Sequence, residues 1–142
     1  MLADKQSITQ YIPQRPPMVM IHNLLEATED GAVTQFTIQP DNIFLHDKKL
    51  AEPGMVENIA QTAAVQVGFI CVQKKISVPI GYIAAIRDLK VFDFPLENST
   101  ITTSVVVKNQ VLDITLVEGV IRQNDQVLCQ CEMRIFAKVQ SQ

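Results

Sequence analysis

Glycine is scarce in this chain, histidine scarcer still, and neither occurs in a pattern that holds phosphate or metal. The five glycines never fall in GxGxxG or GxxxxGK order, which excludes the familiar nucleotide loops, and no serine stands in a nucleophile elbow. Cysteine occurs three times, as Cys71, Cys129 and Cys131. That odd number, without a CxxC pair or a Cys/His cluster at zinc-ligand spacing, argues against a disulfide framework and a zinc site. Positive charge is also short, 12 Lys and Arg against 15 Asp and Glu for a net charge of −3, so neither nucleic acid nor an anionic membrane is the expected partner. The N-terminal run MLADKQSITQ carries charge and no apolar core, so no signal peptide is expected and a cytoplasmic location is. No stretch is polar or repetitive enough to predict a disordered arm.

What the chain does have is a globular balance, 142 residues with 47% hydrophobic and 19% charged, enough for one domain, 1–142, with a real core. A short helix is predicted around Ala3 to Tyr11, ending before Pro13. Ile12 to Pro17 reads as an extended lead-in. Met18 to Ala27 and Gly31 to Ile38 read as two strands joined at Asp30-Gly31, and Pro40 to Pro53 as a long irregular loop of the kind that carries function.

After Pro53-Gly54 the apolar period changes to steps of three and four through Val56, Ile59, Ala60, Ala63, Ala64, Val67, Ile70 and Cys71, which predicts one long helix. Its charge and amide content suit a buried core helix better than a membrane span. The alanines make one face small enough for other backbone to approach. Period two then returns, with strands near Gly81 to Phe92, Thr100 to Lys108, Val111 to Arg122 and Val127 to Val139. Asn109-Gln110 and Asn124-Asp125 are the expected tight turns, and Phe94-Pro95 with Asn98 a looser one. On the last strand Cys129 and Cys131 share a face with Val127, Met133 and Ile135, which reads as core. An antiparallel α+β sheet of about six strands, wrapped around its one long helix, is the economical solution.

Candidate acid–base groups are few. Glu57 falls in the expected first turn of the long helix, where the dipole favours a carboxylate while burial would raise its pKa toward neutrality. Gln61 lies four residues on and is therefore its neighbour on the helix surface. Of the two histidines, His22 sits among strand residues and reads as structural, whereas His46 stands in the loop beside Asp47, Lys48 and Lys49. Arg15 among the prolines could meet an acidic partner or simply face solvent.

Two segments carry a resemblance. Ile12-Pro13-Gln14-Arg15-Pro16-Pro17-Met18-Val19-Met20-Ile21 resembles the opening of the β-hydroxyacyl-acyl carrier protein dehydratases, and Pro53-Gly54-Met55-Val56-Glu57-Asn58-Ile59-Ala60-Gln61 the start of their central helix. Gly81 to Leu96 is similar to their third-strand region. The resemblance implies the hotdog fold, a homodimer or larger assembly of dimers, no cofactor or metal, and dehydration of a 3-hydroxyacyl thioester carried by acyl carrier protein or coenzyme A. It implies roles too. Glu57 would protonate the leaving hydroxyl, a histidine of the other subunit would take the α-proton, the N–H of Gly54 would polarise the thioester carbonyl, and Gln61 would orient Glu57. Tyr82, Phe92 and Phe94 could line an acyl tunnel. The family's Gly-His-Phe-Pro segment is absent; the corresponding region reads Asn42-Ile43-Phe44-Leu45-His46-Asp47, which makes His46 the candidate base. A hotdog thioesterase, or a non-catalytic subunit completing another hotdog chain, are the alternatives.

Overall fold

The computed structural model describes residues 1–138. After a 3₁₀ turn at Ile8–Gln10 come β1 (Asn23–Thr28), β2 (Gly31–Thr37), a two-residue pair β3 (Leu45–His46) and β4 (Lys49–Leu50), helix α1 (Glu52–Gln73), and then β5 (Ile80–Val91), β6 (Thr100–Val111), β7 (Ile114–Gln123) and β8 (Gln126–Lys138). The six long strands form one antiparallel sheet in the order β1-β2-β6-β7-β8-β5, and α1 packs across it. The expected α+β architecture, one long helix against a six-stranded sheet, is the one observed.

The helix is apolar and long enough to cross a membrane, yet Met55, Ile59 and Ala63 are buried in the sheet with Phe36, Ile101, Val105, Val117, Ile121 and Met133. It approaches β7 so closely that a side chain at Gly119 would overlap Ile59. Cys129 and Cys131 belong to this core, where desolvation first, and then a neighbouring charge, pushes their thiols up to about 11 and about 12. Both are free. A second cluster of Ala3, Ile8, Ile12, Ile21, Leu24, Ala32 and Val65 seals the other end.

Several elements differ from the sequence expectation. The N-terminal helix shrinks to the 3₁₀ turn because Ala3 is drawn into a bridge with Leu24 at the edge of β1, so a helical turn can start only after it, where Asp4 Oδ1 caps the start by accepting from the Gln6 and Ser7 N–H groups. The first strand begins at Asn23, not Met18, since the backbone at Met18 and Met20 is held by a side chain instead of a ladder. The β1–β2 turn is Glu29-Asp30. Gly31 is already paired with Thr28, and a side chain there would overlap the Val105 carbonyl. The loop 40–53 contains the β3–β4 hairpin. Asn109-Gln110 continues β6, and the chain turns at Leu112-Asp113. Asn124 and Asp125, both at positive φ, make the predicted turn between β7 and β8. Val139 lies outside the described residues.

Candidate active site

Helix α1 starts at Glu52 with Pro53 in its first turn, a position where a missing N–H costs nothing. Glu57 is therefore one turn deeper than its expected place, and Glu52 holds the first-turn acidic position. The helix also carries a polar stripe that the apolar period hides. Asn58, Thr62 and Gln66 recur every four residues and are buried, as is Gln61. Each bonds outward. Asn58 Nδ2 donates to the Met20 carbonyl at 2.8 Å, and its Oδ1 accepts from the Thr103 hydroxyl. Thr62 shares a 2.8 Å hydrogen bond with Thr34, and Gln66 Nε2 donates to the Thr28 carbonyl at 2.7 Å.

Gln61 organises the site. Its Oε1 accepts from the Met20 N–H at 2.6 Å, and its Nε2 donates both to the Met18 carbonyl and to Glu57 Oε2, each at 2.8 Å. One side-chain amide thus ties the lead-in segment to the helix and restrains the half-buried Glu57 carboxylate. That carboxylate lines an apolar cavity of about 280 Å³ with Ala60, Ala63, Ala64, Val67, Tyr82, Ile83, Val117 and Ile135. The three alanines make this space rather than admitting backbone, as their size suggests. The close backbone approach comes one turn further, where the Tyr11 carbonyl lies against Gly68. Among the described residues Glu57 is the only carboxylate lining the cavity, and no histidine lines it.

His46 lies elsewhere in the chain. It ends β3, immediately before the Asp47-Lys48 turn, both of whose residues have positive φ. Its side chain is 83% exposed, with Nε2 at 3.4 Å from Asp47 Oδ2. It borders a separate depression with Asp47, Lys49, Leu50, Ala51, Glu52, Pro53 and Phe94. Gly54 is buried, its N–H donates to the Ala51 carbonyl at 3.0 Å, and a side chain there would press on Leu50 and Phe44. Tyr82 reaches the cavity mouth and is 60% exposed, whereas Phe92 is exposed and lines neither space. One chain therefore joins Glu57, Gln61 and Tyr82, but not His46, Gly54 or Phe92.

His22 is half-buried against the Phe36 ring, with centroids 4.6 Å apart, and its Nδ1 accepts from the Thr37 N–H at 3.2 Å. Desolvation, helped by the Lys5 charge, lowers its pKa to about 4, so it is neutral in the fold at pH 7. Arg15 Nη1 folds back onto the Ile12 and Gln14 carbonyls at 2.8 and 2.7 Å. Among the described residues no group of His, Cys, Asp and Glu is placed to hold a metal ion. The buried polar stripe was within reach of sequence inspection through its four-residue spacing, but its partners were not.

Solved structures show the same fold at low identity. The dehydratase heterocomplex ApeI:P from Xenorhabdus doucetiae superposes with a TM-score of 0.85 at 19% identity, covering 92% of this chain and 90% of that one. A hypothetical thioesterase with coenzyme A from Streptococcus pneumoniae gives 0.67 at 10% identity over 84% and 90%. The PaaI protein of the Escherichia coli phenylacetic acid degradation operon gives 0.63 at 11% over 80% and 81%. No curated protein matches. These likenesses establish the hotdog fold. The model of the ApeP-like family, described as ApeP dehydratase, matches residues 6–142, and the chain belongs to the ApeP-like dehydratase family.

Proposed function

We propose that this chain is a subunit of a 3-hydroxyacyl thioester dehydratase, in which Glu57 protonates the departing 3-hydroxyl while a base from a second hotdog chain removes the C2 proton. The observation that carries this reading is a lone carboxylate, fixed by Gln61, in an apolar cavity that its own chain leaves without a histidine. An apolar wall holds the acyl chain and strengthens the electrostatics of the acid. The thioester is expected on an acyl carrier protein or coenzyme A.

The second chain docks on β5, which among the described residues pairs only with β8 and stands at the margin of the sheet. Over Ile80–Ile86 that edge carries no charge, and its Gly81, Tyr82 and Ile83 reach the cavity. Beyond it the strand is irregular and charged, with Arg87, Asp88 at positive φ and Lys90, features that discourage pairing. A chain docked along Ile80–Ile86 would bring its own loop to the cavity mouth. The base is then either His46 of a second copy or a histidine of a different hotdog protein, and the assembled ApeI:P heterocomplex among the fold's relatives makes the second a concrete case to test.

The test follows enoyl thioester formation in the ultraviolet and thiol release in parallel, with the chain alone and with a co-expressed hotdog partner. Enoyl product that falls at least a hundredfold in Glu57→Gln supports the reading. Activity of the chain alone that is lost in His46→Ala assigns the base to a second copy, whereas activity only with the partner assigns it there. Thiol release without enoyl product would make the protein a thioesterase instead.

A further inference from the structure

Among the described residues one buried side-chain oxygen or nitrogen lacks a hydrogen-bond partner, Oε1 of Gln14. A buried acceptor left unmet is unusual in a folded protein and invites a specific explanation. Gln14 lines the cavity that holds Glu57. Its backbone is held beside that cavity, because Ile12 is buried and the Arg15 guanidinium grips the carbonyls of both Ile12 and Gln14. The other amide on that wall, Gln66, is already tied to the Thr28 carbonyl. The cavity wall thus carries one carboxylate and, in Gln14, one amide oxygen without a partner, beside the hydroxyl-bearing Tyr11, Tyr82 and Thr115.

An acyl chain has no donor to offer that acceptor, and a 3-hydroxyacyl chain has one. We infer that Gln14 is a substrate-contacting residue that reads the 3-hydroxyl, its Oε1 accepting the hydroxyl hydrogen. With its hydrogen so placed, the hydroxyl oxygen turns a lone pair to the proton on Glu57. In the elimination the base takes the C2 proton, the C2–H pair becomes the C2–C3 π bond, and the C3–O bond breaks toward oxygen. The oxygen accepts the Glu57 proton and leaves as water. Glu57 ends as a carboxylate and the base protonated, and return of that proton through solvent resets the site. The inference rests on the dehydratase reading and adds to it the group that separates substrate from other acyl thioesters.

The test is equilibrium binding of two pantetheine thioesters, octanoyl and 3-hydroxyoctanoyl, to the assembled protein carrying Glu57→Gln to prevent turnover. With Gln14 present the hydroxylated ligand should bind about tenfold more tightly. Gln14→Leu should erase that preference while leaving octanoyl affinity within about twofold, a pattern that general damage does not produce. Unfolding midpoint and assembly mass are recorded for each variant, and Gln14→Met, unbranched like glutamine, is used should the leucine variant fail to fold. Equal affinities with Gln14 present, or a preference that survives its replacement, would overturn the inference. So would loss of assembly in both variants, which would assign the acceptor to the subunit contact. Binding of neither thioester when Gln14 is present would remove the dehydratase reading itself, a result distinct from loss of discrimination alone.

Discussion

Asn58 occupies a position fully shielded from solvent, where an apolar side chain would suit the helix, and it satisfies two groups that have no other side-chain partner among the described residues: the Met20 carbonyl and the Thr103 hydroxyl. Truncation would leave both partners buried and unpaired. Asn58→Ala should cost about 2–4 kcal/mol, measurable by urea unfolding. His22 gives a second residue-scale expectation. Its pKa is lowered from 6.5 to about 4 in the fold, so below pH 6.5 the unfolded chain binds more protons than the native one and stability falls as pH falls from 6.5 toward 4. His22→Gln keeps an acceptor for the Thr37 N–H without a titrating ring. Its unfolding midpoint should drop less between pH 7 and pH 4.5 than that of the parent. Legibility differs from residue to residue. The adjacency of Glu57 and Gln61 follows from helical spacing alone. The tie from Gln61 to Met18 and Met20 spans more than forty positions in the chain, and no local pattern signals which backbone a buried amide will meet.

At the scale of elements, the strand periods and the single helix were readable because burial on a sheet face and on a helix imposes different repeats. The turns were less so. Asn109-Gln110 has turn chemistry but lies inside β6, past a register shift at Val107/Asn109; Leu112, which has none, takes the corner at φ 56 and is 91% exposed. Side-chain sterics at positive φ cost about 1 kcal/mol or more for such a residue, partly offset in glycine by unfolded-state entropy. Leu112→Gly should therefore raise stability by about 0.5 kcal/mol, seen as a small rise in Tm. Helix α1 began three residues earlier than the Pro53-Gly54 punctuation suggested, because proline suits a first helical turn as well as it suits a loop. That shift moved Glu57 from the helix mouth to the cavity wall. His46, expected in an irregular loop, sits instead at the end of a hairpin strand, exposed and outside the cavity that Glu57 lines.

For the whole molecule the decisive feature is the uneven finish of the sheet. Placing a lysine at the uncharged half of β5, as in Ile86→Lys, should leave the fold intact while weakening association at least tenfold. Sedimentation would show the change in mass, and enoyl formation should decline in parallel if the site is shared between chains. The opposite margin behaves differently. There Ala3 bridges Leu24, with the Leu2 N–H donating to the Leu24 carbonyl at 2.7 Å and the Leu24 N–H to the Ala3 carbonyl at 2.9 Å, so the chain's own first residues occupy the rim of β1. That margin is thus capped at Leu24, while the uncharged stretch Ile80–Ile86 on the other margin stands open. Two molecules that met along β5 would spend that stretch on each other, so the surface best suited to strand addition would be used up in the pair.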